Sequence, residues 1–223
     1  MGADMAPFSY FIFDLDGTIL DTIEDIALAM NAALRECGYS YGYSKQEAMR
    51  LIGDGADMAV RRALAFHNED LRGFQRLKDA YMPLYRKLQN DHVKPFEGLP
   101  ETLAKLKESG ASLYVVTNKP HALAEVVVAS HYGEGFFSAI LGAKEGMPVK
   151  PDPTSLLLVM KENGIPKEKA LYVGDSSVDI ATAKNGGLPV ALCLWGYGVY
   201  DEPTLKTADY VLRKPEDLLS FVG

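Results

Sequence analysis

Two kinds of hydrophobic spacing alternate along the chain, and they divide it into three parts. A short apolar run, Tyr10–Phe13, has the aromatic and β-branched character of a buried parallel strand. The next roughly seventy residues place their apolar side chains at helical spacing. The remainder alternates short apolar runs with helical segments. This order predicts an α/β protein that carries a helical insertion near its N-terminus.

The helical part has recognisable start and stop signals. We expect Thr18 and Asp21 to begin the first helix, with Gly38 just past its end. Ser44 followed by Glu47 is a capping-box signal for a second helix. Glycines at 53 and 55 break the pattern before further helical stretches at 56–66 and 71–88. We therefore predict an inserted helical domain over residues 21–95.

The third part predicts a sheet. Apolar runs at 112–116, 139–141, 170–173, 190–194 and 210–212 alternate with helical segments near 121–131, 154–163 and 178–184. Strands that alternate with helices are joined by right-handed crossovers and form a parallel sheet covered on both faces. We expect a doubly wound, Rossmann-like parallel sheet built from residues 1–20 and 96–223.

Composition narrows the class of protein. The 223 residues are 48% hydrophobic and 24% charged, and the net charge of -7 argues against non-specific nucleic-acid binding. Neither a run long enough to span a membrane nor a signal-peptide pattern is present, so we expect a cytoplasmic protein without a membrane partner. Cys37 and Cys193 lie in apolar segments, which favours buried thiols over a disulfide or a nucleophile. The four histidines lack zinc-like spacing.

Two carboxylates stand where the first strand ends. Along an extended chain, Asp14 and Asp16 point to one side and Leu15 to the other, and Gly17 permits a tight turn after them. Two carboxylates that face one crevice repel each other unless a cation or a shared proton relieves them, and Mg²⁺ is suited to that role. The alternative is an acidic turn with Asp21 as a helix cap.

Polar residues also follow three later strands. They are Thr117-Asn118-Lys119, Lys150-Pro151 and the segment from Gly174 to Asp179. Ligands gather outside the carboxyl ends of parallel strands, so these groups should converge with the two carboxylates. Taken singly, each has an ordinary alternative: Thr117 and Asn118 as helix caps, Lys150 as a solvated loop cation, and Asp175 as a helix cap.

In order, these four segments resemble the four motifs of the haloacid dehalogenase-like (HAD) superfamily, and they span the chain from Asp14 to Asp179. The resemblance implies a HAD core with an inserted α-helical cap. It implies that Asp14 is the nucleophile that takes a phosphoryl group as an aspartyl-phosphate. Asp16 would be the general acid and base, protonating the leaving oxygen and later activating water.

The same resemblance implies roles for the other motif residues. The Thr117 hydroxyl and the Asn118 backbone N–H would hold phosphate oxygens, and Lys150 would neutralise charge on the transferring group. Asp179 would orient a metal-bound water or pair with Lys150. The implied Mg²⁺ ligands are Asp14, Asp16 through its main-chain carbonyl, and Asp175.

Substrate choice is expected to lie in the cap. The segment containing Gly53, Asp54 and Gly55 is similar to the cap loop of the phosphoglycolate phosphatase subgroup, and Trp195-Gly196-Tyr197-Gly198 also resembles that subgroup. Asp54 stands where many relatives carry Asn, which adds negative charge near an anionic substrate. Either Arg61 or Arg62 could supply positive charge, although exposed helix arginines are the ordinary alternative. Trp195, Tyr197 and Tyr200 favour a packed loop over a binding cage.

The resemblance therefore implies a Mg²⁺-dependent phosphatase of small phosphorylated metabolites, with 2-phosphoglycolate as the leading substrate. We expect a monomer or a homodimer. A pyrophosphatase, a nucleotide phosphatase and a sugar phosphomutase are alternatives with the same motifs. A metal-independent dehalogenase and a non-catalytic phosphate-binding module are more distant alternatives.

Overall fold

The computed structural model describes residues 8–67 and 70–222. Its strands are, in chain order, β1 (Tyr10–Phe13), β2 (Leu20–Asp21), β3 (Lys94–Pro95), β4 (Ser112–Pro120), β5 (Ala139–Ala143), β6 (Ala170–Gly174), β7 (Val190–Cys193) and β8 (Tyr210–Leu212). A parallel sheet has the order β5-β4-β1-β6-β7-β8, and β2 pairs with β3 in a separate antiparallel pair. The predicted parallel sheet is confirmed.

The helices fall into two groups. Helices α1 (Ile23–Glu36), α2 (Lys45–Ala48), α3 (Ala56–Ala65) and α4 (Phe74–Leu88) lie between β2 and β3 in the chain. The second group is α5 (Leu99–Glu108), α6 (His121–Tyr132), α7 (Thr154–Glu162), α8 (Ser177–Gly186) and α9 (Glu202–Thr207). Because β2 and β3 pair, the segment that leads into helices α1 to α4 and the segment that leads out of them lie next to each other. The domain limits at residues 21 and 95 stay a prediction.

Strand register brings the site together. On β1, Phe13 lies opposite Val115 of β4 and Val173 of β6. The three neighbouring strands run parallel, so their carboxyl ends lie at one edge of the sheet. Residues that follow Phe13, Val115 and Val173 therefore face a shared space.

The core is built on both sides of the sheet. Phe11 and Phe13 pack on one face, whereas Ile12 and Tyr172 pack on the other, as the alternation of a strand requires. Helices α1 to α4 supply most of a third apolar cluster, which includes Met30 and extends to Leu123 of α6. Among the described residues, no helix is long and apolar enough to cross a membrane. Cys37 and Cys193 are buried free thiols, as predicted.

The predicted start of the first helix is wrong. The N–H groups of Thr18, Ile19 and Leu20 all donate to the carbonyl of Leu15, which closes a tight loop instead of a helix. The chain then forms β2, and α1 begins only at Ile23. The short β2 was not predicted because two residues show no periodicity.

Strand β4 is longer than predicted. Its pairing with β5 shifts after Val116 and resumes where Pro120 lies opposite Ala143. Thr117, Asn118 and Lys119 are therefore part of the strand rather than of a loop that follows it. The extended backbone therefore places these three polar residues beyond the end of β1, at the carboxyl edge of the sheet.

Candidate active site

Asp14 and Asp16 line one cavity of about 420 Å³. The N–H of Asp14 donates to the carbonyl of Val173 at 2.9 Å, so the carboxylate projects directly beyond β1. Leu15 lies in the core, as the alternation predicts. Gly17 makes the turn with φ of +85°, and a Cβ there would lie 2.5 Å from Asp175 Oδ2. Only glycine fits this turn without displacing a carboxylate.

Lys150 is completely enclosed among acidic groups. Its Nζ lies 2.8 Å from Asp14 Oδ1, 2.7 Å from Asp179 Oδ1 and 3.1 Å from the Tyr172 hydroxyl. Burial alone would lower the pKa of Lys150, yet the carboxylates of Asp14 and Asp179 hold it well above its usual value. Lys150 is therefore a buried ammonium, and its interpretation as a solvated loop cation is wrong.

The same surroundings act on the carboxyl of Asp14. Burial raises its pKa, Lys150 lowers it, and the nearby Asp179 raises it again, which leaves the pKa at about 6. Loss of hydration disfavours the ionised form of Asp14. A second cation near this carboxylate, in addition to Lys150, would therefore stabilise it.

Asp175 and Asp179 have different partners. Asp175 accepts a hydrogen bond from the Thr18 hydroxyl at 3.2 Å and another from the backbone N–H of Tyr197 at 2.7 Å. Ser176 is the N-cap of α8 and forms a capping box with Asp179. The interpretation of Asp175 as the helix cap is therefore wrong. Burial, followed by the charges of Asp179 and Asp14, raises the pKa of Asp175 well above its usual value.

Three carboxylates form a group that suits a metal ion. One oxygen from each of Asp14, Asp175 and Asp179 lies within 4.8 Å of the others. Asp179 is already engaged, because Oδ1 accepts from Lys150 and Oδ2 accepts from Ser176 and from the backbone of Asp175. Among the described residues, each oxygen of Asp175 accepts only one hydrogen bond and Oδ2 of Asp14 accepts none, so these two carboxylates keep lone pairs for a cation. Hard carboxylate oxygens match the preference of Mg²⁺.

Thr117 and Asn118 are not helix caps. Thr117 lines the cavity, and its Oγ1 accepts from the backbone N–H of Lys119 at 3.2 Å. The Asn118 amide donates to the carbonyls of Gly53 and Lys150, both at 3.0 Å, and accepts from the Lys150 N–H at 2.7 Å. The α6 N-cap is Pro120. Asn118 therefore joins β4, the Lys150 segment and the loop between α2 and α3.

That loop, Gly53-Asp54-Gly55, lines the opposite side of the cavity. Both glycines have positive φ values, +112° and +86°, which explains why glycine stands at each position. Asp54 forms an ion pair with Arg62, which also lines the cavity and donates to two backbone carbonyls before the loop. Arg61 stacks on Phe74 instead. The negative charge of Asp54 is therefore largely offset by Arg62.

The segment after β7 packs against the site, as predicted. The Tyr197 hydroxyl donates to Asp21 Oδ1 at 2.7 Å and accepts from the N–H groups of Thr22 and Ile23. The indole N–H of Trp195 donates to the carbonyl of Thr18 at 3.0 Å. This loop fixes the turn after β1 and the first residues of α1.

Sequence reasoning overlooked the role of Lys119. Its side chain is 1% exposed, and Nζ lies 3.1 Å from Asp16 Oδ1 and donates to the Tyr85 hydroxyl. Its place in the polar run Thr117-Asn118-Lys119, which follows an apolar strand toward the expected site, was the usable signal. Its partner Tyr85 lies on α4, which no local pattern connects to β4.

Comparisons with known proteins agree with this architecture. A family model described as haloacid dehalogenase-like hydrolase matches residues 11–193. The phosphoglycolate phosphatase of Aquifex aeolicus is 33% identical over 215 residues, which cover 95% of each chain. That of Vibrio parahaemolyticus is 32% identical over 95% of this chain and 94% of its own. The crystal structure of a predicted phosphoglycolate phosphatase from Haemophilus somnus superposes with a TM-score of 0.87 at 29% identity and covers 97% of this chain and 98% of its own.

Proposed function

The chain belongs to the haloacid dehalogenase-like hydrolases, and from this premise we propose that it is a phosphatase of small phosphate monoesters, with 2-phosphoglycolate as its leading substrate. One observation carries the proposal. The Asp14 carboxylate lies at the cavity beside a buried ammonium, and a second carboxylate is placed for a shared cation. The phosphoglycolate phosphatase names of the relatives support the choice of substrate.

In the first step, Asp14 attacks phosphorus. A bond forms between its carboxylate oxygen and phosphorus, and the bond from phosphorus to the leaving oxygen breaks. Asp16 gives its proton to that leaving oxygen, so glycolate departs as a neutral alcohol at that atom. Lys150 and the Thr117 hydroxyl stabilise the negative charge spread over the phosphoryl oxygens.

In the second step, water attacks the phosphorus of the aspartyl-phosphate. Asp16, now ionised, takes a proton from that water, and the bond between phosphorus and Asp14 breaks. The Asp14 carboxylate is regenerated and inorganic phosphate leaves. Lys150 stays between Asp14 and Asp179 throughout, so the returning negative charge always has a cation beside it.

We propose Mg²⁺ as the cofactor, held by the carboxylates of Asp14 and Asp175 and the main-chain carbonyl of Asp16. When bound, the ion supplies positive charge that offsets the charge of the phosphoryl oxygens. The chain's own part is to keep Asp175 oriented through Thr18 and Tyr197.

The cavity suits a small substrate. The cavity has a volume of about 420 Å³. Residues at the carboxyl ends of the strands line one side, and Gly53-Asp54-Gly55 and Arg62 line the other. The backbone N–H groups of this loop, opposite the phosphoryl site, suit a short carboxylate such as that of 2-phosphoglycolate, whereas Arg62 is paired with Asp54 and adds no net charge there. Enclosure by the helical unit also limits access of bulk water. The cytoplasmic location and the monomeric or homodimeric state stay predictions.

The test is phosphate release from a panel of substrates. The panel contains 2-phosphoglycolate, pyrophosphate, sugar phosphates and nucleotides, each assayed with Mg²⁺ and with a chelator. Asp14→Asn is the inactive control, and Asp57→Asn, which changes a half-exposed carboxylate on α3, is the matched control expected to stay active. Circular dichroism verifies that both variants fold.

Preference for 2-phosphoglycolate that disappears with the chelator and in Asp14→Asn supports the proposal. Preference for pyrophosphate, a nucleotide or a sugar phosphate would keep the chemistry and replace the substrate. Isomer formation without free phosphate would identify a phosphomutase. Full activity in Asp14→Asn would contradict the mechanism itself.

A further inference from the structure

Lys119 is a buried cation at the cavity. None of the roles implied for the four motifs uses its side chain. Its side chain is 1% exposed, and it lines the cavity together with Asp14 and Asp16. A buried ammonium is costly unless it is paired and hydrogen-bonded. Its ion pair with Asp16 therefore requires an explanation in terms of what Asp16 does.

The contacts of Asp16 fall on one oxygen. Oδ1 lies 3.1 Å from Lys119 Nζ and accepts a hydrogen bond from the Thr22 hydroxyl at 2.7 Å. Among the described residues, both side-chain hydrogen bonds of this carboxyl use Oδ1. Two donors on a single oxygen fix the rotation of the carboxyl and leave Oδ2 as the oxygen that can carry a transferable proton.

Lys119 is in turn held by the helical unit. The Tyr85 hydroxyl, on α4, accepts a hydrogen bond from Nζ, and the ammonium lies 4.6 Å from the centre of the Tyr85 ring. The Tyr85 ring stacks on that of Tyr81, with centroids 5.3 Å apart and planes 8° apart. Lys119 is thus enclosed between a carboxylate on the sheet side and an aromatic pair on the cap side.

We propose that Lys119 is a positioning residue for Asp16, and that Tyr85 makes this positioning depend on closure of the helical unit over the site. With Tyr85 in contact, the ammonium is fixed and Oδ2 of Asp16 is aimed at the leaving oxygen. With the helical unit displaced, Lys119 loses its neutral partner and the carboxyl loses its fixed rotation. This inference rests on the proposed role of Asp16 as general acid and base.

Leaving-group dependence distinguishes positioning of an acid from a general structural role. A general acid contributes most to the rate when the leaving oxygen is strongly basic. It contributes least when that oxygen can leave readily without a proton. We would measure kcat/KM for 2-phosphoglycolate, phenyl phosphate and p-nitrophenyl phosphate. For variants that carry Asp16→Asn, which are expected to stall after one turnover, the same second-order constant is taken from release of the leaving group in the first turnover. This parameter covers steps up to loss of the leaving group, so hydrolysis of the shared aspartyl-phosphate does not enter it.

In Lys119→Met, we expect kcat/KM to fall about a hundredfold for 2-phosphoglycolate and phenyl phosphate, and less than about tenfold for p-nitrophenyl phosphate. Tyr85→Phe removes one hydrogen bond to a charged group. We expect kcat/KM to fall about tenfold for 2-phosphoglycolate and phenyl phosphate, and less for p-nitrophenyl phosphate. Lys78→Met and Tyr132→Phe are matched controls, because they remove an ion pair and a tyrosine hydrogen bond away from the cavity. Both should retain the wild-type pattern.

An equal loss on all three substrates would overturn the inference. A loss confined to 2-phosphoglycolate would also overturn it, because Lys119 would then bind the substrate carboxylate. If Asp16→Asn itself shows no dependence on the leaving group, the proposed acid role fails. If Asp16→Asn shows the dependence and Lys119→Met does not, only the inference fails.

A double-mutant cycle with the best substrate gives a second test that needs no aryl phosphate. If Lys119 acts through Asp16, Lys119→Met should cost less than about threefold in the Asp16→Asn background. A full hundredfold loss in that background would show that Lys119 acts independently of Asp16.

Discussion

Replacing Lys150 with Met tests whether the acidic cluster depends on this cation. Methionine keeps most of the length of the side chain but removes the ammonium that contacts Asp14, Asp179 and the Tyr172 hydroxyl. Asp179 is fully buried and Asp14 nearly so, and neither gains a new protein cation in the variant. The substitution therefore leaves uncompensated charge in the core.

The expected cost follows from that burial. Removing one partner of a buried ion pair typically destabilises a protein by about 3–5 kcal/mol. In a protein of this size, each 1 kcal/mol lowers Tm by about 2–4 °C, so Tm should fall by roughly 6–20 °C. Asp14 and Asp179 share the cation, which places the expected cost in the upper part of that range.

The cost should depend on pH. Lys150 lowers the pKa of Asp14, whereas burial and Asp179 raise it, with a resulting pKa of about 6. In Lys150→Met the lowering contribution is absent, so the folded pKa moves further above the unfolded value. A carboxyl with a raised folded pKa loses stability as pH rises from the unfolded pKa through the folded one. The variant should therefore be less destabilised near pH 5 than near pH 8.

Urea and thermal unfolding of the wild type and three variants provide the measurement. Lys150→Met combined with Asp179→Asn should be more stable than Lys150→Met alone, because it removes one of the unpaired charges. Lys206→Met, at an exposed ion pair on α9, is the control and should change stability by less than about 0.5 kcal/mol. A cost for Lys150→Met below about 1 kcal/mol, or one that does not change with pH, would refute this reasoning.

Three further predictions concern the surroundings of the site. Gly17→Ala should destabilise by about 1–3 kcal/mol in urea unfolding, because φ is +85° and the new Cβ would meet Asp175; wild-type stability would contradict this. His92 donates to the buried Asp25, which raises the pKa of the imidazole. This stabilisation is complete below the unfolded pKa of about 6.5 and is lost as pH rises through the folded pKa. His92→Gln should therefore lower Tm more near pH 5.5 than near pH 8.5, and an equal drop would argue against the pair. Mg²⁺ at a hundredfold excess over its Kd should add about 2.7 kcal/mol of stability, and Asp14→Asn should weaken the gain; no shift in Tm with Mg²⁺ would oppose the proposed cation site.

Much of the site could be predicted because its residues follow strands whose apolar runs are clear in the sequence. Asp14 and Asp175 each come directly after such a run, and parallel register brings them together. The capping box at Ser44 and the loop glycines were also visible, because their signals are local. Helix α5 was not predicted, although Pro100 in its first turn and apolar residues at helical spacing were available.

The remaining features depend on contacts between distant segments. Tyr85 and Lys119 are 34 residues apart in the chain, and their contact exists only because α4 packs over the end of β4. The ion pair of Asp54 with Arg62 likewise needs the loop before α3 to fold back on that helix. Without the structure, Asp54 looked like an unfavourable charge near an anionic substrate. In the structure, Arg62 pairs with Asp54 and offsets this charge.

The most direct test of the central claim is detection of the covalent intermediate on Asp14. Asp16→Asn mixed with p-nitrophenyl phosphate should release one equivalent of p-nitrophenol per active site and then stall, because the good leaving group needs no acid while hydrolysis needs the base. Rapid quenching and peptide mass analysis should then find one phosphoryl group on the peptide that carries Asp14. Absence of a burst, or a phosphoryl group on another residue, would contradict the account.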